Sequence, residues 1–422
     1  MKRNYQAMGM VAIAMGLWTS CAQTSVIDSA METKGEIIGF STYANKTRGV
    51  PTSNESFTTN GNAFGVTAFI NGTTPEIATP YMGTTTVGAQ IKYATTPTAA
   101  WNYQTAADAR YWPTGTSETL DFYAYAPFTD NERNATPAMS KADGMKFTDY
   151  TVPTTSTTTP TTDFAKQKDF MYASALEKTT SSDGVNAGKL TLTFKHALTQ
   201  ILFKAKTNQS NLYVDIQENG IELCNIQNKG TFALTKTAPT APTWALAKPA
   251  VHANYTAPTK QVIAGNDNTA VDLIKEQANT PDALMLMPQT LTPWAVNTTT
   301  TKTIANADAA TPKQSYLKIM CRIFYSTGPS TTTPVTYENQ VYLHGSAGAT
   351  GATGYAALYV PFSSKAISTS GTEEEAWKMG NKVTYTLIFG GGYNDQGEPI
   401  LTPITFDTTV TDWNEANKNI NL

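Results

Sequence analysis

The chain has 422 residues, of which 40% are hydrophobic and only 15% charged, with 30 Lys plus Arg set against 33 Asp plus Glu. A net charge of −3 leaves no basic field for nucleic acid and no acidic tail, and the length suits two domains or one large all-β domain. Thr is abundant, Tyr (20) and Phe (16) are well represented, and charged helix formers are scarce, which biases the chain towards strands.

The first twenty residues read as an export signal. Lys2 and Arg3 form a positive start, Ala7 to Trp18 is uninterrupted apolar or small sequence, and Thr19 and Ser20 supply the small residues of a cleavage site. The apolar stretch falls short of the roughly 20 residues that span a bilayer. Cys21 stands directly after the cut, where a bacterial lipoprotein takes diacylglycerol on its thiol. The lipidation box normally has Leu three residues before that Cys; here the position is Trp18, with Leu17 one further back, so a plain secretory signal ending in Cys stays open as the alternative.

Glu36 to Tyr43 is the first candidate strand, and Asn45 to Pro51 is a polar turn behind it, carrying Arg48, the only Arg between the signal and Arg110. Period two then dominates. Phe64, Val66, Ala68 and Ile70 share a face; Leu120, Phe122 and Ala124 alternate with Asp121, Tyr123 and Tyr125. Leu190, Leu192 and Phe194 repeat the pattern, as do Val383, Tyr385, Leu387 and Phe389, and finally Ile404, Phe406 and Val410, with Trp413 beyond. Such alternation predicts sheets packed on one side, hence an all-β sandwich. Clusters of Thr, Pro, Gly and Ser, among them Thr151 to Thr162 and Gly345 to Gly354, read as loops. Ser181-Ser182-Asp183-Gly184 predicts a domain boundary at 182–188; no segment shows a long helical period, and the best short helix candidates, Thr372 to Lys378 and Val271 to Gln277, are connectors at most.

Groups that carry chemistry are sparse. His196, His252 and His344 lie far apart in sequence and outside any metal-ligand spacing. There is no nucleophile elbow, phosphate loop or dinucleotide fingerprint. Asn394-Asp395-Gln396-Gly397 reads as a tight turn and Glu373-Glu374-Glu375 as a solvated one. Trp101, Tyr103, Trp244 and Trp294 are either core or a sugar-binding platform. Cys224 and Cys321 lie in apolar strand-like runs, and pairing in an oxidising compartment and burial as free thiols both remain open. No catalytic residue, cofactor site or metal site is expected, and an enzyme is not.

From Tyr111-Trp112-Pro113 and Leu120-Asp121-Phe122-Tyr123-Ala124-Tyr125-Ala126-Pro127 onward, the sequence resembles the fimbrillin-like proteins of anaerobic Gram-negative gut and oral bacteria. Asp169-Phe170-Met171-Tyr172-Ala173, Leu192-Thr193-Phe194-Lys195-His196-Ala197-Leu198, Met287-Pro288-Gln289, Tyr359-Val360-Pro361, Trp377-Lys378-Met379-Gly380 and Val410-Thr411-Asp412-Trp413 follow in the family's order. The resemblance implies two transthyretin-like β-sandwich domains in a lipoprotein precursor of the outer membrane and cell surface. Residues 1–20 are then the signal, 21–48 a lipidated segment and first strand, 49–187 the N-terminal sandwich and 188–422 the C-terminal one. It further implies a subunit, stalk or tip, of a type V fimbria that mediates surface adhesion. In that scheme Cys21 carries the lipid anchor, an extracellular Arg-specific protease cuts after Arg48, and the first strand is lost. A donor strand of another fimbrillin subunit, here Ile404, Phe406, Val410 and Trp413, fills the opened groove. The alternative is a monomeric lipid-anchored adhesin or glycan-binding lipoprotein, whose host or bacterial ligand the sequence does not name.

Overall fold

The structure is a computed structural model. It describes residues 35–44, 54–129, 133–156, 163–207, 209–239, 241–265, 269–273, 283–329, 337–348, 354–367, 373–389, 393–400 and 405–412. These residues are mostly strand. In the first half they form β1 (Gly39–Ala44), α1 (Asn54–Phe57), β2 (Ala63–Asn71), β3 (Ala89–Ala94), β4 (Ala100–Tyr103), β5 (Thr119–Ala126), β6 (Pro137–Ser140), β7 (Gly144–Thr151), β8 (Met171–Lys178), β9 (Val185–Asn186) and β10 (Lys189–His196). The second half adds β11 (Thr199–Thr207), β12 (Leu212–Gln227), β13 (Lys229–Leu234), β14 (Thr243–Leu246), β15 (His252–Thr256), β16 (Val262–Gly265), β17 (Val271–Asp272), β18 (Leu284–Leu286), α2 (Ile304–Ala309), β19 (Tyr316–Tyr325), β20 (Val341–His344), β21 (Ala356–Pro361), β22 (Lys365–Ile367), β23 (Glu373–Glu375), β24 (Asn381–Phe389) and β25 (Thr405–Asp412).

The first sheet runs β1-β4-β3-β2-β5-β8-β10-β9, and β1 also pairs with β10, so the sheet closes on itself. Alternation decides its interior. Phe64, Val66, Ala68 and Ile70 of β2 meet Leu120, Phe122 and Ala124 of β5 and Leu190, Leu192 and Phe194 of β10 in one buried cluster. One face apolar was the expectation for β5, but Tyr123 and Tyr125 on its other face are buried too. They join Phe69, Phe147, Phe170, Phe232 and Trp244 in a second cluster. The reason is a four-stranded sheet, β14-β13-β7-β6, that takes two strands from each half of the chain. β5 is thus covered on both sides.

The second half builds a sheet of β15, β12, β19 and β20, with β16 on β12 and β21 on β19, and another of β17, β11, β24 and β25, with β18 on β11. β11 and β24 run parallel from Gln200↔Lys382 to Thr207↔Phe389. The turn at 182–188 lies between β8 and β10, and β10 still belongs to the first sheet; the second set of strands starts at β11. The short helix candidates near 372 and 271 are strands where they are described. Glu373–Glu375 pairs with Lys365–Ile367, and Val271–Asp272 pairs with β11. Tertiary pairing overrides weak local propensity in runs this short. Cys224 and Cys321 are both buried and free. Cys224 lies opposite Tyr316 and Cys321 stands five residues further along β19, so period two sends the two thiols to opposite faces.

Candidate functional site

The part of the fold that stands out is the closure of the first sheet by β1. It runs parallel to β10, from Gly39↔Lys189 to Ala44↔Phe194, and touches β4 on its other side through one register pair, Phe40↔Trp101. β2 and β5, in contrast, share seven register pairs. β1 is therefore a plug between two neighbours, and parallel pairing is slightly weaker per residue than antiparallel.

Side chains hold the plug at defined points. Ile38 is fully buried and Phe40 is 4% exposed, while Ile37 between the polar ends is 52% exposed. The Phe40 ring meets Phe64, Tyr103 and Phe122 edge-on, with centroids 5.8, 6.0 and 6.3 Å away. Trp101 Nε1 donates to Thr42 Oγ1 at 2.8 Å, and the Tyr103 hydroxyl donates to the Ile38 carbonyl at 2.8 Å. Burial raises the Tyr103 phenol well above its usual range, which keeps it a proton donor at any physiological pH. On the solvent face the Ser41 and Thr191 hydroxyls lie 2.8 Å apart.

The entry of β1 is fixed by backbone. Ile38 N donates to Arg110 O, Trp112 N to Glu36 O, and Gly39 N to Gly188 O. Gly188 O also accepts from the buried Trp112 Nε1 at 2.9 Å. Position 188 needs glycine: its φ is +69° and an added Cβ would sit 2.6 Å from Glu36 Cγ. Trp112, Arg110 and Gly188 were not read from the sequence as parts of a site, and Tyr103 was weighed only as core or as part of a sugar platform. Only the Tyr111-Trp112-Pro113 motif pointed near them.

Of the residues expected from sequence to act, Cys21, Arg48, Ile404 and Trp413 lie outside the described residues. Phe406 and Val410 lie in β25, opposite Leu387 and Val383 of β24 in an antiparallel register that runs from Asn381↔Asp412 to Ile388↔Thr405. β25 is the end strand of its sheet, so its removal leaves the β11–β24 ladder intact. The other arginines after the signal are built into the fold. Arg110 donates to the carbonyls of Tyr81, Ala107 and Ala109, Arg133 is buried and donates to those of Phe128 and Ala135, and Arg322 grips the buried Asp215 carboxylate.

The aromatics weighed as a sugar platform do not assemble. Trp101 and Tyr103 serve the barrel, Trp244 donates its Nε1 to Ala197 O in the second cluster, and Trp294 sits in a third with Tyr316. His196 Nδ1 lies 2.8 Å from Asp169 Oδ2, both side chains buried, at the exit from β10. Among the described residues no three His, Cys, Asp or Glu side chains converge as a metal site would require.

Comparisons with known proteins give a family and a likeness of fold. A family model described as fimbrillin-like matches residues 47–413. The crystal structure of a fimbrial protein from Bacteroides vulgatus aligns at 17% identity over 90% of this chain and 100% of its own, with a TM-score of 0.54, a likeness of fold. The tip fimbrial protein Mfa3 from Porphyromonas gingivalis, with C-terminal truncation, aligns at 11% identity over 85% of this chain and 96% of its own, with a TM-score of 0.33. No curated protein matches in sequence.

Proposed function

Since the chain belongs to the fimbrillin-like family, we propose that it is a structural subunit, stalk or tip, of a type V fimbria on the bacterial surface, assembled by protease-triggered strand exchange. The two halves are read as transthyretin-like sandwiches, the precursor as a lipoprotein anchored in the outer membrane through Cys21, and the partners as further fimbrillin subunits. The observation that carries the reading is β1 itself: a single strand, near the chain start, that closes the barrel between β4 and β10 and buries Ile38 and Phe40. Hydrolysis of the peptide bond after Arg48 by an extracellular Arg-specific protease severs that strand from everything that follows. Arg110, Arg133 and Arg322 are held in the folded body, which favours Arg48 as the cut.

Loss of β1 leaves a groove with unpaired main-chain groups on β10 and apolar floor from Phe64, Phe122 and Leu190. Strand addition satisfies both needs at once: the ladder supplies hydrogen bonds and alternate side chains fill the floor. Burying two large apolar side chains of the incoming strand contributes on the order of 1.5–3 kcal/mol each before ordering costs. The C-terminal strand, an end strand with Phe406 and Val410 on one face, is the donor in this reading.

The test is to treat the precursor with an Arg-specific protease, follow its N-terminus by mass and its size by light scattering. A cut after Arg48 followed by SDS-resistant oligomers is expected, lost in Arg48→Ala and on removal of Ile404 to Leu422. A chain cut at that point which stays monomeric sinks the polymerisation reading and leaves an anchored monomeric adhesin.

A further inference from the structure

The register of the exchanged strand is written in the chain. Inward-facing Ile38, Phe40 and Thr42 form the pattern Ile-x-Phe-x-Thr, and that pattern occurs at one other place in the sequence, Ile404, Phe406 and Thr408. We propose, resting on the strand-exchange reading above, that the donor strand of a second copy enters the groove in the direction of β1, with Ile404, Phe406 and Thr408 in the places of Ile38, Phe40 and Thr42.

Each pocket fits its new occupant for a stated reason. The Phe40 site is a ring of Phe64, Tyr103 and Phe122, shaped for an aromatic side chain. The Thr42 site holds the Trp101 Nε1–H, a donor that needs an oxygen, and the Thr408 hydroxyl supplies one. Ile404 N replaces Ile38 N as the donor to Arg110 O, and Thr402 O replaces Glu36 O as the acceptor for Trp112 N. Pro403 falls at Ile37, which sits between those two bonds, where a missing N–H costs nothing.

The solvent face agrees. Asp407 takes the place of Ser41, beside the Thr191 hydroxyl, a donor for its carboxylate. Thr405 takes the place of Gly39, where a Cβ meets Lys189 Cγ at 2.9 Å; Lys189 is an exposed, flexible side chain that can turn aside. At Gly35 a Cβ would lie 2.5 Å from the Trp112 carbonyl oxygen, so the incoming strand enters the groove only after Leu401. Val410 then falls at Ala44, paired with the buried Phe194 of β10.

Other registers are worse. A shift of two residues in one direction sets Phe406 on the Trp101 N–H in place of an oxygen. The same shift in the other direction puts the Thr408 hydroxyl among the three rings of the Phe40 site. A shift of one residue turns every inward side chain to solvent. In the fold as it stands Phe406, Thr408 and Val410 are the register partners of Leu387, Tyr385 and Val383 of β24.

Cysteine cross-linking separates this register from the strand-exchange reading itself. Ser41→Cys with Thr191→Cys, in the uncut precursor, calibrates the geometry, since the two hydroxyls lie 2.8 Å apart. In protease-treated chains, Thr191→Cys with Asp407→Cys is expected to give a covalent ladder on non-reducing gels. Thr191→Cys with Thr405→Cys or Thr409→Cys is expected to give about tenfold less, because each of those partners sits two strand residues, about 6.6 Å, away from position 407 along the strand. Thr408→Val should slow assembly about fivefold by removing one net hydrogen bond, and Thr409→Val should not. Polymer that cross-links through position 405 or 409, or not through 407, overturns the register and leaves strand exchange standing. Failure of the cysteine-free chain to polymerise after cleavage removes both.

Discussion

Truncating Phe40 to alanine tests whether β1 belongs to the barrel core or merely lies on it. The side chain is 4% exposed and meets three rings edge-on, so the change removes a fully buried aromatic side chain and leaves a cavity among Phe64, Tyr103 and Phe122. Core Phe→Ala changes cost about 3–5 kcal/mol. The lower end is expected here, because β4 holds β1 by one register pair and can move in to fill part of the space. Against a typical domain stability of about 5–15 kcal/mol that is a large loss. Urea unfolding of the uncut precursor, followed by tryptophan emission, reads it directly, since Trp101 is bonded to Thr42 of β1 and packs 4.9 Å from Phe64. The neighbouring Ile37→Ala is the control: Ile37 is 52% exposed and should change stability by no more than about 0.5 kcal/mol. A Phe40→Ala cost below about 1 kcal/mol, or one equal to that of Ile37→Ala, would refute the assignment of β1 to the core.

Three further outcomes are expected. Cys224 and Cys321 are buried, and burial pushes both thiols up, so neither should react with a water-soluble alkylating agent at pH 8 until denaturant is added, after which both should label without reductant. Tyr385→Phe leaves the buried Trp377 Nε1–H without the hydroxyl it bonds at 2.8 Å and Ser363 O without its donor at 3.0 Å; a loss of about 1–3 kcal/mol in chemical denaturation is expected, with the fold retained. Burial pushes the Tyr172 phenol up to about 12 from 10.0. Its neutral form is favoured in the folded state, so above pH 10 the unfolded chain releases a proton that the native one keeps. Stability should then fall between pH 10 and about 12, on the order of 1.4 kcal/mol per pH unit from this group, and Tyr172→Phe should flatten that slope.

Much of the fold was legible as local pattern. The alternation of Phe64, Val66, Ala68 and Ile70 gave both the strand and its buried face, because the side-chain period of a strand is set by the backbone alone. The first strand was read at Glu36 to Tyr43, and β1 runs Gly39–Ala44, with Ile37 bridging to Tyr111 just before it. What lay beyond the sequence was partnership. The faces of β5 look polar and apolar in turn, yet Tyr123 and Tyr125 are buried, because β7 and β13, from two distant parts of the chain, pair and roof that face. Glu373–Glu375 carries no strand signal of its own and becomes one by pairing with Lys365–Ile367.

The candidate site divides in the same way. By itself the sequence determined the apolar stretch behind Lys2 and Arg3, the place of Arg48, the repeated Ile-x-Phe-x-Thr pattern and the order of the family's motifs, all of them properties of neighbouring residues. Only the tertiary structure decided that β1 lies parallel between β4 and β10, that Trp101, Tyr103 and Gly188 hold it there, and that Cys224 and Cys321 stand on opposite faces of one sheet. A strand's period is fixed by its own backbone, whereas its neighbours are fixed by contacts between residues as far apart as Ser41 and Thr191, and no local pattern names those partners.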